Sequence, residues 1–414
     1  MSETAIGEPS RIVSDFENLK MTRQRLDSLD QFRGYTVAGM FLVNFLGSYA
    51  LVTDQFPNLK HHNSFCSYAD TIMPQFFFAV GFGFRLTLLK RLQSEGVWSA
   101  YGRVVRRIFG LLLIAIFVHG LDGEYKLWSD LTATGWGNVL LTAFKRNYFQ
   151  TLTHIALASL WVTPVIAAGT RWRLIYFLGS GVLHVVVSYL GYYHWVHEFR
   201  GIDGGLLGFM SWGMVVLAGS FAYDFVYPQG PQDGLSSTVS LSRFSASSSS
   251  PQANFRVAVG RLILWGVVLM VAGYGLSCLN RVTEPNSELA SEQWMKIFNT
   301  PPFVLPTEPI NLWTMSQRAG SVSYMTFSAG FCMALLGCCL QLADVWGIRL
   351  GIFRTLGTNA LAGYVLHEWI NGTLKPFFPK DSPIPYAFLG FALSFLMCYL
   401  ILRSFEKQKI YFRI

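Results

Sequence analysis

Residues 26–83 read LDSLDQFRGYTVAGMFLVNFLGSYALVTDQFPNLKHHNSFCSYADTIMPQFFFAVGFG. The pattern predicts two apolar helices joined by a polar loop, a first from about Gly34 to Val52 and a second from Ala69 to Leu89. Each is close to the ~20 residues that cross ~30 Å of hydrocarbon. Asn44 interrupts the first apolar run, where an amide has no water to bond and needs a partner. The loop carries the doublet His61-His62, and Asp70 opens the second helix. These four residues are expected to share one small reactive pocket, because histidine exchanges protons near neutral pH and a carboxylate can orient it. Each also has a plainer role. Interfacial histidines satisfy helix ends, an intramembrane amide bridges two spans, and a carboxylate in a first turn caps its helix and complements the dipole.

Outward from this stretch, apolar runs recur over about 108–121, 148–168, 174–193, 206–226, 257–279, 321–342, 358–370 and 385–402. The chain of 414 residues is 52% hydrophobic and 14% charged. Soluble domains carry roughly 25% charged residues, so lipid rather than water solvates most of this surface. The expected fold class is an all-α polytopic membrane protein, a bundle of about ten transmembrane helices embedded in a lipid bilayer. The net charge of +8 is concentrated in alternate loops, which is the positive-inside bias. It therefore reports topology, with both termini cytoplasmic, and not a nucleic-acid partner.

Residues 1–33 form a polar tail without the apolar core of a signal peptide. Six spans over 34–226 include the loop 53–68 as the candidate active-site loop. Residues 227–256, rich in Ser, Gly and Pro, read as a flexible cytoplasmic linker. Four spans over 257–403 follow, with a long outer loop at 280–320 expected to act as a lid, and 404–414 form a basic tail. Between the third and fourth spans, Trp128, Leu131, Trp136, Val139 and Leu140 fit an interfacial helix. Cys66 and Cys278 both fall near the outer surface, and a disulfide between them is left open. No metal-ligand spacing is present.

Of the eight histidines, all but His184 fall at the outer ends of spans or in outer loops. The loop HWVHEFRGIDGG, with His194, His197, Glu198, Arg200 and Asp203, is a second polar cluster on that side. Charges are scarce in the middles of the spans, which argues against an ion-coupled carrier. A transporter or channel for a small polar solute nevertheless stands as the alternative to an enzyme, and a structural membrane protein as a third.

Ser28, Asp30, Phe32, Arg33 and Gly34, then Val43-Asn44, then the histidine loop, then Ala69, Asp70, Pro74, Phe76, Phe78 and Gly81 form an ordered pattern. That pattern resembles the heparan-alpha-glucosaminide N-acetyltransferase family of multispan acyltransferases and its bacterial members. FQTLTHIAL around Gln150, GIDGGLL around Asp203, INLWTMS around Asn311 and Trp313, and LGTNALAGYVLHE around Asn359 and His367 follow in the same order. The resemblance implies transfer of an acetyl or other acyl group from cytoplasmic acetyl-CoA, or another acyl-CoA, to an amino sugar or glycan on the outer side. The acyl-CoA is then a co-substrate, with no cofactor bound permanently, and the loop histidine is essential. The family's histidine precedes a Trp-x-Gly element, whereas here the doublet precedes NSFCSY, so His61 and His62 stay as alternatives. On this basis Arg33, Arg85, Arg103, Arg106 and Arg107 are expected to meet the donor's phosphates. Gln150, Asp203, Trp313, Asn359 and His367 are expected to line the substrate sites. A bacterial inner membrane is the implied location, and a homodimer is kept open as the assembly state.

Overall fold

A computed structural model describes residues 26–144, 148–198, 203–228, 251–283, 298–306 and 310–412. Most of the N-terminal tail, most of the Ser-rich linker, Arg200 and part of the long outer loop lie outside the described residues. Eleven principal helices are α1 (Asp27–Leu46), α2 (Tyr68–Ser94), α3 (Val97–His119), α4 (Thr151–Val162), α5 (Thr170–Val187), α6 (Phe209–Val226), α7 (Pro251–Thr283), α8 (Val322–Leu340), α9 (Gly351–Thr358), α10 (Ala360–Leu374) and α11 (Ile384–Lys407). Among the described residues, six helical segments are long and apolar enough to cross a membrane: Tyr68–Ser94, Thr170–Glu198, Phe209–Val226, Asn254–Arg281, Val322–Val345 and Ile384–Lys407. The all-helical, multi-pass class follows from these six; α1, α3, α4 and α10 are helices at the other expected positions but carry too much charge or are too short to qualify.

Local chemistry explains where the boundaries depart from the sequence expectation. α1 starts at Asp27, seven residues earlier than expected, because its polar first turns are buried against the chain before α9. There the Ser28 N–H donates to Asp344 at 3.0 Å, and Gln31 exchanges two hydrogen bonds with the backbone of Leu350. The basic stretch between the second and third spans is not a long loop. α2 runs to Ser94 and α3 starts at Val97, because Gly96 at φ +81° turns the chain in two residues; Arg103, Arg106 and Arg107 are thus helical. α4 stops at Val162 because Pro164 has no N–H to give the Leu160 carbonyl, although Thr163 keeps helical angles and the chain carries on in turns to Ile166. α9 and α10 meet at a break at Asn359. The expected interfacial helix is two short ones, Trp128–Thr134 and Trp136–Ala143, hinged at Gly135 with Trp128, Trp136 and Leu140 exposed. Cys66 and Cys278 are both free thiols.

α2, α6 and α8 are the interior of the bundle, with 67%, 72% and 61% of their apolar windows buried, against 28% or less for α5, α7 and α11. Lipid tails are as apolar as these side chains, so close backbone packing has to hold such helices together. Glycines provide it in reciprocal pairs. A Cβ on Gly81 of α2 would sit 1.8 Å from the Val216 carbonyl oxygen of α6, and one on Gly219 of α6 would sit 2.0 Å from that of Phe78. Gly34 and Gly357 make the same exchange between α1 and α9. Nearby, Arg85 and Arg173 both clamp Asp224, with Arg85 Nε at 2.7 Å.

Gly81→Val is expected to destabilise the protein by about 3 kcal/mol or more, through backbone overlap that no rotamer relieves. Gly179→Ala, where an added Cβ meets nothing within 4 Å, is expected to be silent. Melting curves in one detergent compare the two directly, and equal melting temperatures would remove the crossing from the argument.

Candidate functional site

Asp70 begins as a helix cap. It is the third residue of α2, and its Oδ2 accepts the Ser67 N–H at 2.9 Å while Ser67 Oγ accepts the Asp70 N–H at 3.3 Å, a reciprocal capping box. The other oxygen, Oδ1, is left over, and His61 Nδ1 lies 2.9 Å from it. Asp70 is fully buried, and Tyr324 of α8 donates to its backbone carbonyl at 2.6 Å, tying the head of α2 to the bundle interior. Since Asp70 accepts, His61 Nδ1 carries the proton and Nε2 keeps its lone pair in the neutral ring.

The two histidines of the doublet have different partners. The His62 ring donates through Nε2 to the Pro57 carbonyl at 2.9 Å and packs on Phe65, so its only contact with Asp70 is a long backbone N–H bond of 3.4 Å. The His61 side chain is 49% exposed, which leaves room for a ligand to reach the ring.

Two loops from distant parts of the chain close on this histidine. Asp203 holds a left-handed backbone at φ 56°, and its carbonyl accepts the Trp212 indole N–H at 2.7 Å. Gln317, in the turns before α8, donates from Nε2 to Asp203 Oδ1 at 2.8 Å and lies 3.4 Å from Met73 Sδ, one turn along α2 from Asp70. The two loops are stitched together by Gly204 N–H donating to the Arg318 carbonyl at 2.9 Å. Burial alone lowers the His61 pKa, but the hydrogen bond to Asp70, the charges of Asp70 and Asp203 and the nearby Gln317 amide outweigh it and leave it above the usual 6.5. Burial pushes the Asp203 carboxyl up to about 6, opposed by the Gln317 hydrogen bond and the His61 charge.

Asn44 is elsewhere. Its Nδ2 lies 2.9 Å from His367 Nε2, and no hydrogen bond among the described residues joins it to His61 or Asp70. His367 Nδ1 donates to the Tyr364 carbonyl at 2.5 Å, and its Nε2 faces both the Asn44 amide and, at 3.3 Å, Glu368 Oε1. Tyr364 Oη lies 3.3 Å from His119 Nε2, and Tyr364 is within electrostatic reach of both Glu368 and Asp203. A second polar chain therefore flanks the His61 site, built from α1, α3 and α10.

The arginines divide in the same way. Arg85 is committed to Asp224 and to the carbonyls of Ile166 and Ala168, so the structure gives its guanidinium a packing role inside the bundle. Arg103 pairs with Glu95 at 3.0 Å, and Arg106 is exposed. Arg107 lies within electrostatic reach of Arg33 and Arg91, and Arg91 and Arg107 line a cleft between α2, α3 and α4 with Thr87, Leu111 and Ser159. This cleft is at the α2–α3 hairpin, the opposite end of α2 from Asp70. Asn359 bonds the backbone of Ile410 and Phe412, far along the chain from the His61 loop in its contacts. Gln150 precedes α4 with no side-chain cap, and Trp313 is fixed by backbone bonds to Asn311 and Ser323.

Sequence reasoning did not single out Gln317, Arg91 or the Asp224 clamp. The clamp had a signal, since one acid and two bases stand in three largely apolar helices; Gln317, in a Pro-rich loop, had none. Among the described residues no group of three or more His, Cys, Asp or Glu is placed to hold a metal ion. No family model matches the chain, and no curated protein matches its sequence.

Histidine-selective 15N labelling and NMR titration test the electrostatics. His61 is expected to titrate above pH 6.5. Asp70→Asn and Asp203→Asn each remove an anion that favours the charged ring, so each is expected to move the midpoint to lower pH, Asp70→Asn by more. A midpoint that does not respond to either change would separate His61 from both carboxylates.

Proposed function

We propose that the protein is a membrane-bound acyltransferase that moves an acyl group from a cytoplasmic acyl-CoA to an amine of an amino sugar or glycan on the other side. The observation that carries this is the His61–Asp70 pair, a half-exposed imidazole whose Nδ1–H is held by a buried carboxylate so that Nε2 is left as a base. In this reading α1, α3, α4 and α10 join the six long helices as spans, ten in all. The basic α2–α3 hairpin and both termini face the cytoplasm of a bacterial inner membrane.

The acceptor nitrogen attacks the thioester carbonyl and its proton passes to His61 Nε2. The tetrahedral intermediate collapses, a C–N bond having formed as the C–S bond breaks. The same proton goes to the departing thiolate, returning His61 to its starting state. Asp70 holds the imidazole in the productive tautomer and stabilises it while charged. Arg33, Arg91 and Arg107 supply the cations for the donor's phosphates.

A radiolabelled acyl-CoA assay in nanodiscs with amine and sugar acceptors is the direct test. His61→Ala is expected to lower transfer about 100-fold or more, and His62→Ala by much less. Arg107→Gln is expected to raise the donor KM at unchanged melting temperature, whereas Arg85→Gln lowers the melting temperature. Solute uptake with no thioester consumed would replace this reading with the transporter.

A further inference from the structure

The cleft between α2, α3 and α4 holds positive charge that no carboxylate of the described residues answers. Arg91 and Arg107 both line it and are both half-buried, and among the described residues neither guanidinium has a hydrogen bond or an ion pair. Glu95, the acid nearest to them in the chain, is held by Arg103 at 3.0 Å. A third cation stands beside the wall, since a Cβ on Gly83 would sit 3.1 Å from Arg33 Nη2. Arg107 immediately precedes the apolar run of α3 that starts at Ile108, and a cation at the edge of a span is costly until an anion meets it.

The same cleft contains an unpaired hydroxyl. Ser159 of α4 forms part of its wall; the residue is 4% exposed, and its Oγ has no hydrogen-bond partner. The rest of the wall is mainly apolar, with Leu88, Ile108 and Leu111, and the space is narrow, about 350 Å³ including its open mouth. The rim meets the bilayer: Val105 and Phe109, each next in sequence to a wall residue, are exposed, and so is Thr87.

We propose that this cleft holds an anionic phospholipid of the leaflet on the hairpin side. Its phosphate accepts from Arg91 and Arg107, an ester carbonyl accepts from Ser159 Oγ, and the start of an acyl chain lies along Leu88, Ile108 and Leu111. Basic pockets between spans bind lipid headgroups in this way. A free phosphate would answer the arginines alone and leave the hydroxyl and the apolar wall unmatched. The site itself needs only the membrane-embedded helices, whereas its regulatory consequence rests on the acyltransfer reading above. In that reading Arg91 and Arg107 also serve the donor's phosphates, so lipid and donor exclude one another.

Native mass spectrometry of the full-length protein in detergent, with phosphatidylglycerol and a diacylglycerol of the same chains as probes, tests the site. The wild type is expected to retain one phosphatidylglycerol about 10-fold more tightly than the diacylglycerol, and Arg91→Gln/Arg107→Gln to lose about 10-fold of that preference. Lys90→Gln/Arg106→Gln removes the same charge from exposed positions and is expected to change it little. Equal loss in the two double variants reduces the effect to surface charge and overturns the proposal. If Arg91→Gln/Arg107→Gln does not fold, the wild type decides alone, and equal retention of the two probes overturns it. CoA is expected to displace the lipid. A lipid retained against saturating CoA leaves the lipid site standing and overturns the placement of the donor's phosphates, whereas CoA bound with no lipid retained overturns the lipid site and leaves the acyltransfer reading intact.

Discussion

Everything around His61 depends on one carboxylate serving two partners. Asp70 Oδ2 caps α2 and Oδ1 holds His61. A cap of this kind contributes about 1 kcal/mol to its helix, and here the same group positions an imidazole nine residues upstream in the chain. The start of the helix and the orientation of the base are therefore a single event. Tyr324 extends that coupling into the core by bonding the Asp70 carbonyl. No alternative register of α2 preserves the pair, because moving the first turn by one residue takes the carboxylate off both Ser67 and His61. The cap on α2 and the hold on His61 are thus the same geometry seen from the two oxygens of Asp70.

α2 also sets the length scale. Asp70 stands at one end and Arg91 near the other, and at 1.5 Å per residue they are separated by about 30 Å along the axis. The glycine crossing at Gly81 and Gly219 lies between them, so the helix that joins the two polar ends is also the one packed most closely to α6. On the acyltransfer reading, a donor anchored by phosphate at Arg91 and Arg107 reaches His61 only through a long, thin arm, a shape that a pantetheine thioester has and a compact solute does not. Between the two ends, Phe76 packs edge-on against Tyr364.

What the sequence made legible is what is local. His61 and Asp70 are nine residues apart, and a loop that short keeps them together whichever way the spans pack. The multi-pass helical class was equally plain from apolar length. Boundaries failed where a single residue or a distant partner decided them, as at Gly96, Pro164 and the buried polar start of α1. Asn44 shows the sharper limit. Its need for a partner was readable from its apolar surroundings, but the partner, His367, is 323 residues away, and nothing in the spacing reveals which face of α1 meets which helix. Arg85 and Asp224 are 139 residues apart and show the converse. An arginine in an apolar helix was assigned to a ligand although its countercharge was already present in the chain.

The chemistry of the His61 site is lopsided, and that asymmetry says more than any one contact. Asp70, Asp203, Gln317 Oε1 and His61 Nε2 all accept hydrogen bonds, and the one side-chain amide N–H group among them, on Gln317, is already bound to Asp203 and Met73. Of these, Gln317 Oε1 is the buried acceptor that lacks a donor, since both Asp70 oxygens and Asp203 Oδ1 are already bonded, and such a group destabilises the folded state until something supplies a hydrogen. The cationic cleft at the other end of α2 has the reverse bias, since guanidinium groups only donate. One molecule that brings acceptor oxygens to the arginines and another that brings hydrogens to the carboxylates would satisfy both ends at once, which is the division of labour expected of an enzyme joining two substrates from opposite sides of a membrane.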